Sequence, residues 1–556
     1  MGMIKSLMKI FLLLFFWIYA FASSAEKPDE YLKAYSSLSK DAVQMHLRFL
    51  GSDIFEGRGT GARGGDLSAK YLALEFDKMG LIPMGDNRTF YQYIQMHGSY
   101  PTGKSKLIAY VDGEQINFKL GKDYLLYKSG DQTFIPDPKK LVFAGYGINA
   151  PEFDYNDYQN IEVEDKIVVI LNGEPISNDS SFFNGDKATL YSHPESKLRI
   201  AMSRGASGCI ILPNPTDYRF LKWNEIMTQF AFEDVTLAYS PASKLSVLMN
   251  PIAGQRLFKN AEFSLTEVYR MHYEMGMMSF PLNSSLYFKG DFIERDFVAP
   301  NIIGMVEGSD PRLKDSYIII SAHYDHLGIG PAIKGDSIYN GVFDNAIGVA
   351  AVLELAKVFS KMRPAPSRSL LFLLTTGEEK GILGAKYYTD HPVVPLYKTI
   401  ANVNIDGIAV FDEFESIIGV GSKYSSLGII LDSVASDLDL EVTGIPPGFI
   451  NEESFSRSDQ IAFANAGVPS ILIYEGIDYV NLSRDEALNK MINYSENVYH
   501  TPFDDLNQPM DFDAAIKHIR IIFDFCYLLA NIKEEPYWYE GAPYVNERLR
   551  TKAERK

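Results

Sequence analysis

The stretch Ser316-Tyr-Ile-Ile-Ile-Ser-Ala-His-Tyr-Asp-His326 decides the fold. Residues 316–322 form an apolar run of strand length, too continuous to alternate, which is the pattern of a strand buried on both faces. The run delivers His323 and Asp325 directly from its end. A polar, glycine-containing loop then leads to Asp344, and 346–359 has the composition and length of a helix. A second buried strand, 369–375, runs on to the pair Glu378-Glu379. A third, 399–405, ends at Asp406. A fourth, 469–474, precedes the loop that delivers His500 within Tyr499-His-Thr-Pro-Phe-Asp504. Strands alternating with helices predict an α/β fold, a mostly parallel twisted sheet flanked by helices. In open parallel sheets, ligands collect outside the carboxyl ends of the strands. Histidines and carboxylates fall at those ends strand after strand.

The chain has 556 residues, more than one core holds, so more than one domain is expected. With 46% hydrophobic and 22% charged residues it has the composition of a globular protein. A net charge of −18 argues against nucleic acid or an anionic membrane as partner and favours substrates that carry an amine. Lys5 and Lys9 precede an apolar run over 10–22, and the small residues Ala22-Ser-Ser-Ala25 follow. Residues 1–25 therefore read as a secretory signal peptide cut after Ala22 or Ala25, the run being short for a membrane span. The expected location is exported, periplasmic or extracellular, with no membrane association after cleavage. Export makes disulfides possible, yet Cys209 and Cys526 both sit in apolar contexts and read as two buried thiols.

Before the sheet, 41–50 and 65–78 read as amphipathic helices, with the glycine-rich loop Glu56-Gly-Arg-Gly-Thr-Gly61 between them. No strand precedes these glycines and no Gly-Lys-Ser/Thr follows, so the loop reads as structural rather than as a phosphate cradle. From about residue 100 the texture changes to short β-like pieces, with strands expected at 140–148, 165–171 and 208–212. A helix is expected over 196–205, with Gly205 as its stop. Histidines and carboxylates at ligand spacing are missing from this region, which reads as a separate, non-catalytic module. After His500, 511–532 reads as a strong amphipathic helix, and the tail from Lys533 as surface-bound or loose.

Two metals sharing a site need a bridging carboxylate, terminal His and carboxylate ligands, and a separate base. His323 and Asp406 could hold one ion, and Glu379 and His500 the other, with Asp344 bridging. That leaves Glu378 free as general base. Asp325 is placed to accept the second ring N–H of His323. His326 is an alternative ligand, three residues from His323. His46, His97, His193, His272, His391 and His518 read as ordinary surface or core histidines. A glycosidase could also use paired carboxylates, but it would leave His323 and His500 without a task.

The segments Ala322-His-Tyr-Asp-His-Leu-Gly328, Phe343-Asp-Asn-Ala-Ile-Gly-Val-Ala350, Thr376-Gly-Glu-Glu-Lys-Gly-Ile-Leu-Gly384, Asn404-Ile-Asp406, Ser458-Asp459 and Tyr499-His-Thr501 resemble the zinc-dependent exopeptidases of the bacterial leucyl aminopeptidase and aminopeptidase Y type, peptidase family 28. Glu56-Gly-Arg-Gly-Thr-Gly61 and Met79-Gly-Leu-Ile-Pro83 resemble that family's lead-in. The middle, with Gly145-Tyr-Gly-Ile148, Asp154-Tyr-Asn-Asp-Tyr158, Lys166-Ile-Val-Val169 and Arg204-Gly-Ala-Ser-Gly208, resembles a protease-associated (PA) domain. The resemblance implies a zinc-exopeptidase (phosphorylase/hydrolase-like) fold with an inserted β-rich PA-like domain. The implied division is 1–25 signal peptide, 26–100 N-terminal helical part, 101–290 insert, 291–533 catalytic domain and 534–556 tail.

The resemblance further implies two zinc ions per chain, held by His323, Asp344, Glu379, Asp406 and His500, with Glu378 as the catalytic base and the Asp344–Asn345 peptide often cis. Where such relatives read Ser-Asp-His, this chain has Ser458-Asp459-Gln460. The implied activity is removal of N-terminal residues from peptides or proteins. The same superfamily also contains glutaminyl cyclases, carboxypeptidases, for which Arg457 is the nearest carboxylate-binding candidate, and non-catalytic receptors that have lost ligands.

Overall fold

The computed structural model describes residues 27–127, 134–179, 181–183, 185, 189–215, 223–240, 244–446 and 455–555. The signal-peptide reading over 1–25 lies outside the described residues.

A ten-stranded sheet organises the larger part of the chain. Its strands, in chain order, are β1 (Ile82–Pro83), β2 (Tyr91–Pro101), β3 (Asp234–Leu237), β4 (Phe292–Val306), β5 (Tyr317–His323), β6 (Ser369–Thr375), β7 (Thr399–Asn404), β8 (Ser416–Val420), β9 (Glu441–Val442) and β10 (Ser470–Glu475). In space they follow the order β3-β2-β4-β6-β5-β7-β10-β8-β9, with β1 paired to β4. The four central strands, β6, β5, β7 and β10, are mutually parallel. The flanks are antiparallel where β4 meets β6 and where β8 meets β10.

The expected strands at 316–322, 369–375, 399–405 and 469–474 are β5, β6, β7 and β10, each within a residue or so at its ends. Their continuous apolar sequences have a direct cause. In β5, Ile318 and Ile320 face one core, while Ile319 faces the other. In β6, Leu370, Phe372 and Leu374 face the first, and Leu371 and Leu373 the second. The first core is covered by the helices Ile347–Lys361, Leu427–Asp437 and Phe512–Asn531, the second by Leu383–Asp390 and Gln460–Asn465. Burying each such side chain contributes about 1.5–3 kcal/mol. The helix Phe512–Asn531 starts where the Asp511 carboxylate accepts the N–H groups of Asp513 (2.8 Å) and Ala514 (3.2 Å), a side-chain N-cap.

An eight-stranded sheet lies between β2 and β4 in sequence, drawing its strands from Lys106–Val111 to Phe280–Lys289, with apolar cores on both faces. Its Ile167–Leu171, Gly208–Leu212 and Leu245–Met249 strands are parallel. The strand expected at 140–148 is instead Phe134–Phe143. Beyond it the chain turns, because the Asp157 carboxylate accepts both the Tyr146 and Ile148 N–H groups, each at 3.0 Å, and withdraws them from any ladder. The helix expected at 196–205 is Pro194–Ser203, with Gly205 at φ 85° just beyond it. Cys209 and Cys526 are both buried and free. No helix among the described residues is long and apolar enough to cross a membrane.

Candidate metal centre

The carboxyl ends of β5, β6 and β7 and two connecting loops converge on one cluster. His323 is the last residue of β5, and Asp406 lies two residues beyond β7. Glu378 and Glu379 follow β6. Asp344 sits in the turn that opens the helix Ile347–Lys361, and its peptide bond to Asn345 is cis. His500 follows the helix Arg484–Asn497. His323 Nε2 lies 3.1 Å from Asp406 Oδ1 and 3.2 Å from Asp344 Oδ1. His500 Nε2 lies 3.1 Å from Glu379 Oε2 and 3.2 Å from Asp344 Oδ2. The two oxygens of Asp344 therefore face two different histidines, each with its own second carboxylate.

This donor set fits a pair of divalent cations. It consists of imidazole nitrogens and carboxylate oxygens, the ligands zinc takes, and neighbouring donors stand about as far apart as ligands around one such ion. Charge points the same way. Burial works to strip the proton from His500, but the carboxylates of Glu379 and Asp344 outweigh it and hold the ring's pKa up at about 10. His323 is likewise raised well above its ordinary value against burial, by Asp406 and Asp344. Two points in the cluster thus demand positive charge, and bound cations answer that demand. His500 Nε2 is also buried without a hydrogen-bond partner of good geometry among the described residues.

The rings are oriented for this use. The His323 Nδ1–H donates to the backbone carbonyl of Asp325 (3.1 Å), which leaves Nε2 facing the carboxylates. This corrects the expected role of Asp325. Its carboxylate is 3.9 Å from the ring and instead accepts the N–H of Glu378 (3.1 Å) and the hydroxyl of Thr60 (2.8 Å). The geometric reason is that the chain turns straight after β5, bringing the nearer carbonyl under the ring. Asp325 consequently anchors the loop that carries Glu378 and Glu379. Burial pushes the Glu378 carboxyl well above the usual range, with His323 opposing and Asp406 adding to the shift.

His326 is the alternative ligand weighed in the sequence, whereas Asp504 and the Asn345 side chain were assigned no role there. The His326 Nδ1–H donates to Glu379 Oε1 at 2.6 Å, so the ring steers that carboxylate, and its donor atoms fall within the same cluster as those of Asp344, Glu379 and His500. Asp504 accepts the N–H groups of Phe343 (2.8 Å) and Asp344 (3.1 Å), fixing the turn beneath the shared carboxylate. The Asn345 side chain donates to Ile405 O and accepts from Gly348 and Gly407, tying the helix start to the end of β7. The spacing of Asp504 from His500, inside a motif already noted, was the one available signal.

The glycine-rich loop is structural, as read. Arg58 within it is fully buried and donates to the carbonyls of Tyr324 (2.8 Å), Leu50 (3.0 Å), Asn340 (2.5 Å) and Gly341 (2.6 Å). One guanidinium thus clamps the chain on both sides of the centre. Gly57 is required at its φ of 67°, where a Cβ would come within 2.2 Å of Tyr339 O. Gln460, in place of the expected His, accepts from Asn404 Nδ2 (2.8 Å) and donates to Phe455 O (2.9 Å), a position beneath the site rather than in it. His46, His272 and His518 are buried and bonded to Tyr71, to Tyr146, and to the Ala409 and Ile473 backbone respectively.

Residues 301–526 match the model of Peptidase family M28, so the chain carries a domain of that family. Leupeptin-inactivating enzyme 1 of Streptomyces exfoliatus is 29% identical over 188 residues, 32% of this chain and 36% of that protein. The vacuolar membrane protease of Phaeosphaeria nodorum is 29% identical over 122 residues, 19% of this chain and 12% of that one. The chain thus spans about a third or less of these curated relatives. Among solved structures, the aminopeptidase from Aneurinibacillus sp. strain AM-1 is similar in fold, with a TM-score of 0.54 and 18% identity over 90% of this chain and 96% of that one.

Proposed function

We propose that this chain is an exported, zinc-dependent aminopeptidase that hydrolyses N-terminal residues from peptides. The observation that carries the reading is Asp344, whose two oxygens each face a histidine with a further carboxylate of its own. His323, Asp344 and Asp406 would hold one zinc ion, and Asp344, Glu379 and His500 the other. Zinc bound there supplies Lewis-acid polarisation of a carbonyl and acidifies water. Glu378, beside a ligand but with no ligand partner of its own, takes the proton of the attacking water and returns it to the leaving amine. Asp325, accepting the Glu378 backbone N–H, positions the loop that carries that carboxylate. His326 holds the Glu379 carboxylate, and Asp504 holds the backbone of the turn that carries Asp344. We read 1–25 as the export signal, 101–290 as a PA-like insert and 291–533 as the catalytic domain.

Incubating the zinc-loaded protein with a mixed peptide pool and reading the products by mass spectrometry tests the activity. Ladders shortened from the N-terminus are expected. Losses from the C-terminus would place it among carboxypeptidases, ammonia loss confined to N-terminal Gln among cyclases, and an unchanged pool among binding proteins.

A further inference from the structure

The strands β2 and β4 are longer than the sheet requires. Only Ile302–Val306 of β4 pair with β6, whose end carries Glu378 and Glu379, whereas Phe292–Ile302 pair with β2. The two strands therefore run on past the site end of the parallel strands as a rising arm. There β3 joins β2, with Asp234 opposite Ser99 and Leu237 opposite Met96. On another side, Gly328–Ile333 and Asp336–Tyr339 pair as a hairpin within the connection from His323 to Asp344. Phe232, two residues before β3, spans the gap between arm and hairpin. Its ring meets Tyr339 edge-on, with centroids 4.9 Å apart at 90°, and the Lys380 ammonium lies 5.5 Å over its face. Lys380 is the residue after Glu379. A Cβ on Gly330 would come within 2.4 Å of the Phe232 ring, so the hairpin is shaped to it.

The segment is also held from behind. Arg295 of β4 grips the Glu233 carboxylate with two bonds (2.7 and 2.6 Å) and donates a third to Gly61 O (2.7 Å) in the glycine-rich loop. A bidentate Arg–carboxylate pair fixes direction as well as distance. A partly exposed phenylalanine thus touches the hairpin directly and is pinned, through its neighbour, to β4 and the glycine-rich loop. A ring held so firmly between the arm and the hairpin is suited to bounding a cleft.

We propose that Phe232 is a specificity-determining wall of the substrate cleft on the Glu379 side, limiting the size of the side chain the site accepts. The proposal rests on the aminopeptidase reading. Its test is a graded series, Phe232→Ala, Phe232→Leu and Phe232→Trp, in the full zinc-loaded chain. Each is assayed on peptides that differ only in the N-terminal residue, from Ala through Leu to Trp, with zinc content and melting temperature measured alongside. Ala should raise kcat/KM for bulky relative to small N-terminal residues by on the order of tenfold, the scale of a reshaped apolar pocket. Leu should fall between, and Trp should shift the ratio the opposite way, all with wild-type zinc content. A ratio that stays constant across the series, or a uniform fall in kcat for every peptide, would overturn the proposal. Should Phe232→Ala fail to fold, the Leu and Trp variants still decide its sign. A wild-type protein that releases no N-terminal residue from any peptide would fail the underlying reading and take the wall's role with it.

Discussion

Glu378 and Glu379 are neighbours in sequence, and the structure separates them by partner. The Glu379 carboxylate is engaged by His326 and His500, while Glu378 is held through its backbone N–H by Asp325. Glu378→Gln should therefore keep zinc binding while hydrolysis falls by about two to four orders of magnitude, the usual contribution of a positioned base; equilibrium dialysis and initial rates measure the two halves separately. Arg58 belongs to the same scale. Arg58→Met removes donors from four buried carbonyls and should destabilise the fold by on the order of 3 kcal/mol or more. Arg58→Lys should recover only part of that, because an ammonium lacks the planar fork. Urea midpoints of the two variants check this ranking. The histidines and carboxylates that the structure brings together were legible in sequence because metal chemistry restricts residue type. Arg58 and Asp504 were not, since their partners are backbone groups that sequence leaves unspecified.

Elements were legible in proportion to their burial. The strands β5, β6, β7 and β10 announced themselves because two-sided burial keeps most of each run apolar and shows no alternation. The 140–148 region misled for the converse reason: an apolar stretch with Gly145 and Gly147 was turned out of line by a distant carboxylate, Asp157. The helix Phe512–Asn531 carries a further consequence. His518 on it is buried, accepts the Ala409 N–H at Nδ1 (3.0 Å) and donates from Nε2 to Ile473 O (3.1 Å). Burial pushes its pKa from 6.5 down to about 4. Between those values the unfolded ring binds a proton and the folded ring does not, so stability rises with pH across the window. The contribution is intact above pH 6.5 and is lost as pH falls toward 4, on the order of 3 kcal/mol in all. Denaturant midpoints taken from pH 7 to pH 5 should fall more steeply for the wild type than for His518→Gln; equal slopes would count against the buried neutral ring.

At the scale of the molecule, the chain passes between the two sheets at β2 and β4: β2 ends at Pro101 shortly before Lys106–Val111 of the other sheet, and β4 begins at Phe292 shortly after its Phe280–Lys289. A change of texture near residue 100 was readable in the sequence. That β3, within the 101–290 range, would return to pair with β2 was not, because edge pairing is set by three-dimensional proximity rather than by composition. The whole arrangement places the His–carboxylate cluster at the foot of a rising arm. Elemental mass spectrometry of the full chain, equilibrated with excess zinc and then desalted, tests the proposed zinc centre there most directly. Two zinc ions per wild-type chain, falling to one in Asp406→Ala, is the predicted result. One ion or none in the wild-type protein would contradict a centre shared through Asp344.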